Sequence, residues 1–207
     1  MKGYVQKYKK NEQIRSLINN LAVSLPIYKK GARRAAAIFV SNDETVAVMK
    51  RHLGTNIKLT QMCELGVDDE YLDERKELTH EKNDIIHILV SGRLMYRKGI
   101  ELLLDALKVL KTDIPYLVDL YGGGHQIDDV RQQIKDRALQ KTVIMHGKRS
   151  FEEMPKVYAN SDILCLPSLR ETTGTAVVEA MANKLPVIAL NQNGVKYLIE
   201  EDAGILA

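Results

Sequence analysis

Two cationic side chains in the middle of the chain have the spacing of an anion-binding site. Arg93 and Lys98 lie in the segment SGRLMYRKG (91–99), close to Gly92 and Gly99. An apolar run precedes this segment and a helix-period stretch follows it, so both cations would stand between a strand and a helix. Ligands of parallel sheets bind at the carboxyl ends of strands near helix N-termini, where two cations suit a diphosphate. Either residue alone would be better explained as a solvated loop cation.

Two carboxylates stand in a later segment, PSLRETTGTAVVEAM (167–181). Glu171 follows an apolar run, and Glu179 falls among small apolar residues. Gly174 and Thr175 open a predicted helix, whose first backbone N–H groups and positive dipole end would face an anion. A charge in apolar surroundings needs a partner or a ligand, which favours a binding role for Glu179. In the structural alternative, a neighbouring threonine caps the helix and Glu171 only complements the helix dipole.

Two further loops have glycine where a strand ends. The segment YGGGHQ (121–126) allows close approach of a ligand to the backbone, but Ile127 occupies the third glycine position of a GxGxxG fingerprint. A nicotinamide-dependent enzyme is therefore disfavoured, and a plain glycine turn explains the segment at least as well. In HGKRS (146–150), His146 is a candidate base or phosphate contact, although packing is the commoner role, and Gly147 marks the strand exit.

The elements that must position these residues are strands and helices in regular alternation. Six apolar runs predict strands, at 85–92, 115–122, 142–147, 163–168, 186–191 and 204–207. Between them the spacing predicts helices at 99–111, 127–139, 152–161 and 175–184. Apolar strands separated by amphipathic helices predict an α/β fold, a Rossmann-like doubly wound parallel sheet.

The first 85 residues predict the tail of a second Rossmann-like domain. Its expected elements are a helix at 9–25, a strand within 32–42, a helix at 43–52 and a strand at 57–64. Two strands are too few for an independent sheet. We therefore assign residues 1–72 to the end of one domain, the charge-rich residues 73–84 to a linker and residues 85–207 to the domain that carries the candidate site. This last domain is expected to be truncated at its C-terminus.

Composition narrows the class of protein. The chain has 207 residues, 45% of them apolar and 28% charged, which is typical of a soluble globular protein. No apolar run is long enough to span a bilayer, and no secretory signal opens the chain. Cys63 and Cys165 have no CxxC or Cys/His spacing, so neither a disulfide framework nor a structural zinc site is expected. These features predict a cytoplasmic protein.

The net charge of +3 hides an asymmetry. Residues 1–34 hold nine Lys and Arg against one Glu, a net +8, so the rest of the chain is at −5. A solvated helix face is the commoner explanation of such a segment. The alternative is attraction to an anionic membrane surface or substrate. Nucleic acid is disfavoured, because no binding-fold signature is present and the acidic remainder would repel phosphates.

Taken in order, these motifs resemble one family. Gly92-Arg93, Lys98-Gly99, the triple glycine, His146-Gly147 and the pair Glu171 and Glu179 with EAMA (179–182) resemble the C-terminal half of a retaining GT-B glycosyltransferase. More narrowly, the chain is similar to the glycosyl transferases group 1, family 4. The resemblance is strong over about residues 85–207 and weak over 32–72.

The resemblance implies a role for each candidate residue. Arg93 and Lys98 would bind the diphosphate of a nucleotide sugar linked to UDP, GDP or ADP, and would stabilise its departing charge without a metal or other cofactor. Glu171 would hold hydroxyls of the transferred sugar, and Glu179 those of the ribose. Backbone amides at Gly174 and Thr175 would receive oxygens of the donor, and the base would lie near 146–150, beside Gly147.

The resemblance also implies a wider context. The acceptor would be a glycan or a lipid-linked acceptor, in cell-envelope or exopolysaccharide synthesis. The charge of the basic segment 1–34 separately predicts peripheral contact with the inner face of the membrane. Most of the family's acceptor domain is not in this sequence, so the chain is expected to be an incomplete enzyme. Asn193 and Tyr197 stand where the family has glycine and glutamate, and Thr172 replaces a further glycine. A non-catalytic nucleotide-binding module is the alternative function.

Overall fold

The computed structural model describes residues 2–62, 65–72, 85–200 and 202–207, which form two compact units divided after residue 64. The first unit holds three helices and a pair of parallel strands: α1 (Lys2–Ser24), α2 (Pro26–Arg34), β1 (Ile38–Val40), α3 (Asp43–Leu53) and β2 (Leu59–Gln61). The predicted helix at 9–25 corresponds to α1, which begins earlier, at Lys2, and α2 is a further helix that the sequence did not predict. Leu25 between them is extended, and Pro26 opens α2, where a missing N–H costs nothing.

The second unit alternates strands with helices, as the spacing predicts. Its elements are β3 (Ile86–Ser91), a 3₁₀ turn (Tyr96–Lys98), α4 (Ile100–Val109), β4 (Tyr116–Tyr121), α5 (Ile127–Asp136), β5 (Val143–Gly147), α6 (Met154–Ala159), β6 (Ile163–Leu166), α7 (Thr175–Ala182), β7 (Val187–Ala189), a second 3₁₀ turn (Asn193–Tyr197) and β8 (Gly204–Leu206).

All six strands of the second unit are parallel, in the order β5-β4-β3-β6-β7-β8. The chain runs outward from β3 to β5 on one side, then returns to the centre and runs outward from β6 to β8 on the other. The direction of winding therefore reverses between β3 and β6. This order is that of a doubly wound sheet, and the predicted fold class is confirmed.

Two apolar clusters cover the two faces of this sheet. Adjacent residues on β3 belong to different clusters, since Leu89 joins one and Val90 the other. The cluster around Val90 packs the buried side chains of α4 and α5. The cluster around Leu89 packs those of α6 and α7. Burial on both faces explains why the strands are apolar throughout.

Close backbone contacts fix the loops at the carboxyl ends of the strands. Gly122 has φ of +143°, and a Cβ there would collide with the carbonyl oxygen of Gly92. Gly99 has φ of +65°, and a Cβ there would collide with the carbonyl oxygen of Pro167. Glycine is therefore required at both positions by conformation and by space. The Gly122 contact favours the plain structural explanation of the triple glycine.

The predicted domain limits meet the structure only in part. Residues 65–72 belong to the second unit, and the buried Tyr71 packs in its core. The expected linker at 73–84 lies outside the described residues, as does Cys63, so the limits 1–72, 73–84 and 85–207 stay a prediction. Within the part of the chain that the structure covers, no helix is both long and apolar enough to cross a bilayer.

Candidate functional site

A cleft opens where the winding of the sheet reverses. The neighbouring strands β3 and β6 end together, and the loops that follow them lead to helices on opposite faces of the sheet. This is the position at which doubly wound sheets bind ligands. The cleft is lined by the ends of these strands and by the loop after β3: Val90, Ser91, Gly92, Arg93, Lys98, Ile100, Leu120, Leu166, Pro167 and Ser168.

Lys98 and Glu171, which are 73 positions apart in the sequence, meet at this cleft. The Lys98 Nζ lies 2.5 Å from the Glu171 Oε2, and the two side chains are only 15% and 18% exposed. The Lys98 stem passes over Gly92, where an added Cβ would lie 3.5 Å from the Lys98 Cε. Arg93 lines the same cleft and is exposed. Two cations and one carboxylate therefore lie together where the winding reverses, which is the switch point of the sheet.

The loop that carries Glu171 is held from both sides. The Leu169 amide donates to the Arg97 carbonyl at 2.7 Å, which ties this loop to the 3₁₀ turn of Lys98. The Gly194 amide donates to the Glu171 carbonyl at 3.0 Å. The second 3₁₀ turn, where the sequence departs from the family pattern, thus supports the Glu171 loop through its backbone.

The helix α7 begins at Gly174 and not at a capping threonine. Gly174 is the N-cap with φ of +81°, and no side chain caps the helix. The threonine-cap alternative is therefore wrong. Gly174 is buried against Leu198 and Val195, while Thr175, the first helical residue, is exposed. The first amides of α7 are left for an acceptor that the helix itself does not supply.

Glu179, one turn into α7, has a partner that sequence reasoning missed. The Tyr158 hydroxyl on α6 donates to the Glu179 Oε2 at 2.6 Å, and Tyr158 is fully buried. The Tyr71 ring packs edge-on against that of Tyr158, with centroids 5.7 Å apart. In the sequence both tyrosines look like apolar core positions, so nothing there signals a polar contact.

A second polar cluster, which the sequence did not predict, crosses three strands. The Asp119 carboxylate on β4 accepts hydrogen bonds from His87 Nδ1 at 2.8 Å and from His146 Nε2 at 2.6 Å. Asp119 pairs in register with Leu89 and Ile144. His87, two residues before Leu89, therefore projects from the same face as Asp119, and His146 lies at a register shift between β4 and β5. The His146 ring also stacks on Tyr121, with centroids 4.4 Å apart. The contacts of His146 are therefore those of a side chain that packs within the sheet.

The predicted site residues fall into three groups. Gly92, Arg93 and Lys98 line the cleft, and Glu171 joins them through its ion pair. The α7 helix that follows the Glu171 loop carries the second group: Gly174, Thr175 and Glu179. Gly147 ends β5, two strands from β3, and its carbonyl accepts from the Gly122 amide at 2.8 Å.

One lining residue received no separate role from the sequence. The Ser168 side chain is buried, and its hydroxyl has no hydrogen-bond partner among the described residues. A buried polar atom without a partner at the wall of a cleft suits a ligand or a water. Within the described ranges, no group of three or more His, Cys, Asp and Glu side chains could hold a metal ion. The sequence expectation of transfer without a metal stays a prediction.

Comparison with known proteins assigns most of the chain to a family. The family described as "Glycosyl transferases group 1" matches residues 71–207. The chain is 26% identical over 183 residues to alpha-D-kanosaminyltransferase of Streptomyces kanamyceticus, an alignment that covers 84% of this chain and 47% of that protein. It is 27% identical over 161 residues to alpha-monoglucosyldiacylglycerol synthase of Streptococcus pneumoniae, with 77% and 36% covered. The chain thus spans half or less of the length of these curated relatives.

The fold is also similar to solved structures. HepE of Anabaena, solved in complex with UDP, superposes with a TM-score of 0.68 at 21% sequence identity, and the match covers 87% of this chain and 52% of that protein. At this identity the likeness concerns the fold.

Proposed function

The chain belongs to the glycosyl transferases group 1 family as a GT-B C-terminal domain, and on that premise we propose that it supplies the donor site of a retaining glycosyltransferase. The observation that carries the proposal is the Lys98–Glu171 ion pair beside Arg93, in the cleft at the switch point of the sheet. The donor would be a nucleoside diphosphate sugar.

The residues of this cleft suit departure of a diphosphate. In the transfer, the acceptor oxygen bonds to the anomeric carbon as the bond from that carbon to the diphosphate oxygen breaks, and the acceptor proton leaves with the diphosphate. Negative charge grows on the departing oxygens, where Arg93 and Lys98 would stabilise it. Glu171, released from Lys98, would accept hydrogen bonds from hydroxyls of the transferred sugar. Catalysis is assigned to these three side chains.

The rest of the donor would extend along the carboxyl edge of the sheet. The first amides of α7, at Gly174 and Thr175, would receive donor oxygens, and Glu179 would accept from the ribose. The base would lie near Gly147. HepE, which shares the fold, was solved with UDP, and this supports a nucleoside diphosphate as the ligand. The proposed donors are sugars linked to UDP, GDP or ADP.

The proposed acceptor is a glycan or a lipid-linked acceptor in cell-envelope or exopolysaccharide synthesis. A relative that is named for a glycolipid product, alpha-monoglucosyldiacylglycerol synthase, supports a membrane-associated acceptor. The α2 helix supports peripheral contact with the inner face of the membrane. It has Lys29, Lys30, Arg33 and Arg34 and no acidic residue, and its Ile27 is 80% exposed. Such a helix suits an anionic surface, and the proposal places the protein in the cytoplasm.

Calorimetric titration of the chain with UDP, GDP, ADP and NADH tests the donor site. One nucleoside diphosphate should bind, and Lys98→Met, which keeps the unbranched stem, should weaken it about 10- to 100-fold, because a charged hydrogen-bond donor is lost. Lys108→Met is the matched control, since Lys108 is exposed on α4 outside the cleft.

Three outcomes would count against the proposal. Equal binding by Lys98→Met and the wild type would remove the cleft as the diphosphate site. Preference for NADH would favour a nicotinamide enzyme. A nucleotide sugar that binds no more tightly than the nucleotide alone would favour a non-catalytic module, provided that Glu171→Ala changes neither affinity.

A further inference from the structure

The contact between Tyr158 and Glu179 joins a buried phenol to a carboxylate at the donor side of the sheet. The Tyr158 Oη lies 2.6 Å from the Glu179 Oε2, within the range of a strong, charge-assisted hydrogen bond. Tyr158 belongs to α6 and Glu179 to α7, so the bond joins two helices that pack on the same face. Glu179 itself is only half-buried. One end of the carboxylate is therefore fixed to the core while the other remains near solvent.

The Tyr158 ring has little freedom to move away from this contact. It is fully buried in the cluster that contains Leu89, Leu164 and Val177. The Tyr71 ring packs edge-on against it, and Phe151 packs edge-on against Tyr71 at 6.3 Å. Packing therefore fixes the direction in which the phenol points.

The protonation of the phenols makes Glu179 the acceptor. Burial raises the pKa of the Tyr158 hydroxyl well above its ordinary value, and the nearby Glu179 charge raises it further. Burial and the same charge also raise the pKa of Tyr71. Both hydroxyls thus stay protonated at neutral pH, and Tyr158 can only donate to the carboxylate.

The second oxygen of the Glu179 carboxylate, Oε1, can accept hydrogen bonds from a ligand. Tyr158 donates to the Oε2 of Glu179, and the buried Tyr71 hydroxyl lies close enough to this carboxylate for its charge to raise the pKa of Tyr71. A carboxylate has about four acceptor positions, so Oε1 retains capacity for two hydroxyl donors. A vicinal diol supplies two such donors at adjacent carbons.

We propose that Tyr158, braced by the ring of Tyr71, is a positioning residue that directs the Glu179 carboxylate toward the ribose diol of the nucleoside diphosphate. This rests on the proposed function, which assigns the ribose to Glu179. Tyr158 does not touch the ligand. It holds one carboxylate oxygen so that the other meets the diol without losing rotamer freedom on binding. Phenylalanine at this position would keep the ring in the core but would leave the Glu179 Oε2 without this donor.

A ligand-deletion cycle tests this role. The probes are UDP and 2′-deoxy-UDP, or the guanine or adenine pair if the titration above selects that base. The wild type should bind the ribose form about tenfold more tightly, since one hydrogen bond to a charged group is lost with the 2′-hydroxyl. Tyr158→Phe should reduce this ratio to about threefold or less, and Glu179→Gln should reduce it in the same direction. Binding of the 2′-deoxy form, which keeps the 3′-hydroxyl, should weaken less than that of the ribose form in both variants.

Two control variants separate positioning from stability. Tyr116→Phe, in the cluster on the opposite face of the sheet, should keep the wild-type ratio. Tyr71→Phe keeps the bracing ring and removes a hydroxyl near Glu179, so it should lower the ratio less than Tyr158→Phe does. Circular dichroism and thermal melting would verify that each variant is folded. A merely structural role of Tyr158 would weaken both nucleotides equally and leave their ratio unchanged.

The outcomes distinguish this inference from the function on which it rests. If Glu179→Gln lowers the ratio and Tyr158→Phe does not, the positioning role is wrong and the donor site stands. If the wild type binds both nucleotides equally, Glu179 does not meet the diol and the inference is overturned. If the wild type binds no nucleoside diphosphate, the proposed function fails and the inference with it. A ratio in Tyr71→Phe as low as that in Tyr158→Phe would overturn the assignment of Tyr71 to bracing through its ring alone, since the ring is kept in that variant.

Discussion

At the residue scale, the ion pair between Lys98 and Glu171 defines what a ligand must offer. Each side chain is mostly buried and compensates the other. Separating them would leave two partly buried charges unpaired, which is costly. A ligand that engages this pair must therefore supply an anion for Lys98 and hydroxyl donors for Glu171 together. A sugar joined to a diphosphate supplies both, whereas a bare phosphate supplies only the first.

The lone described cysteine gives a prediction at this scale. Burial raises the pKa of the Cys165 thiol to about 11. The thiolate is the reactive form, so at pH 8 Cys165 should react with Ellman's reagent about a hundredfold more slowly in the folded protein than after unfolding in urea. The measurement uses Cys63→Ser, so that a single thiol remains. A folded-state rate equal to the unfolded one would show that Cys165 is accessible.

At the element scale, sequence periodicity predicted most strands and helices of the second unit. It did not predict the contacts between these elements. The strand and helix spans from residue 85 onward agree with the structure to within a few residues, because apolar runs and helical stripes are local signals. The His87–Asp119–His146 cluster depends on strand order and register, which no local pattern encodes. Tyr158 escaped notice for the same reason, since its partner lies on the next helix.

The α2 helix gives the prediction at the scale of elements. Charge reversal by Lys29→Glu with Lys30→Glu should weaken binding to vesicles of anionic phospholipid at least about thirtyfold, since each lost basic residue contributes about 1 kcal/mol and the new carboxylates are repelled by the surface. Binding should also fall with salt. Lys108→Glu with Lys111→Glu changes the same charge on exposed residues of the second unit and should have little effect. Absence of vesicle binding by the wild-type protein at low salt would refute the membrane contact.

At the scale of the whole molecule, the doubly wound order determines where chemistry can occur. Two outward windings from a common centre leave one crevice, between β3 and β6, and the cleft lies there. The sequence predicted this edge of the sheet as the site, because the candidate residues all follow strands. It could not predict which of them meet, since that depends on how the loops fold back over the strand ends.

The buried tyrosines make the free energy of unfolding depend on pH in the alkaline range. Burial raises the pKa of Tyr71 and Tyr158 in the folded state, while unfolded tyrosines ionise near pH 10. The folded state thus holds more protons above that pH, so this stabilisation is complete below about pH 10 and is lost as the pH rises further. The free energy of unfolding should fall by about 0.8 kcal/mol per buried tyrosine between pH 8 and pH 10.5.

Urea denaturation at both pH values measures this slope. The double variant Tyr71→Phe with Tyr158→Phe should have a shallower decline than the wild type, whereas Tyr116→Phe should match the wild type. An identical decline in the double variant would mean that other groups control the alkaline transition.

The backbone contacts among the strand-end loops bear on how such a site can diversify. Gly122 leaves room for the Gly92 carbonyl, and Gly99 leaves room for that of Pro167. The loops that present Arg93, Lys98 and Glu171 are therefore interlocked, and a longer or bulkier loop at one strand displaces its neighbours. Donor preference in this sheet is expected to evolve, or to be engineered, by exchanging these loops as a matched set. Changes confined to one loop would be tolerated at its solvent-facing tip, away from the points of contact.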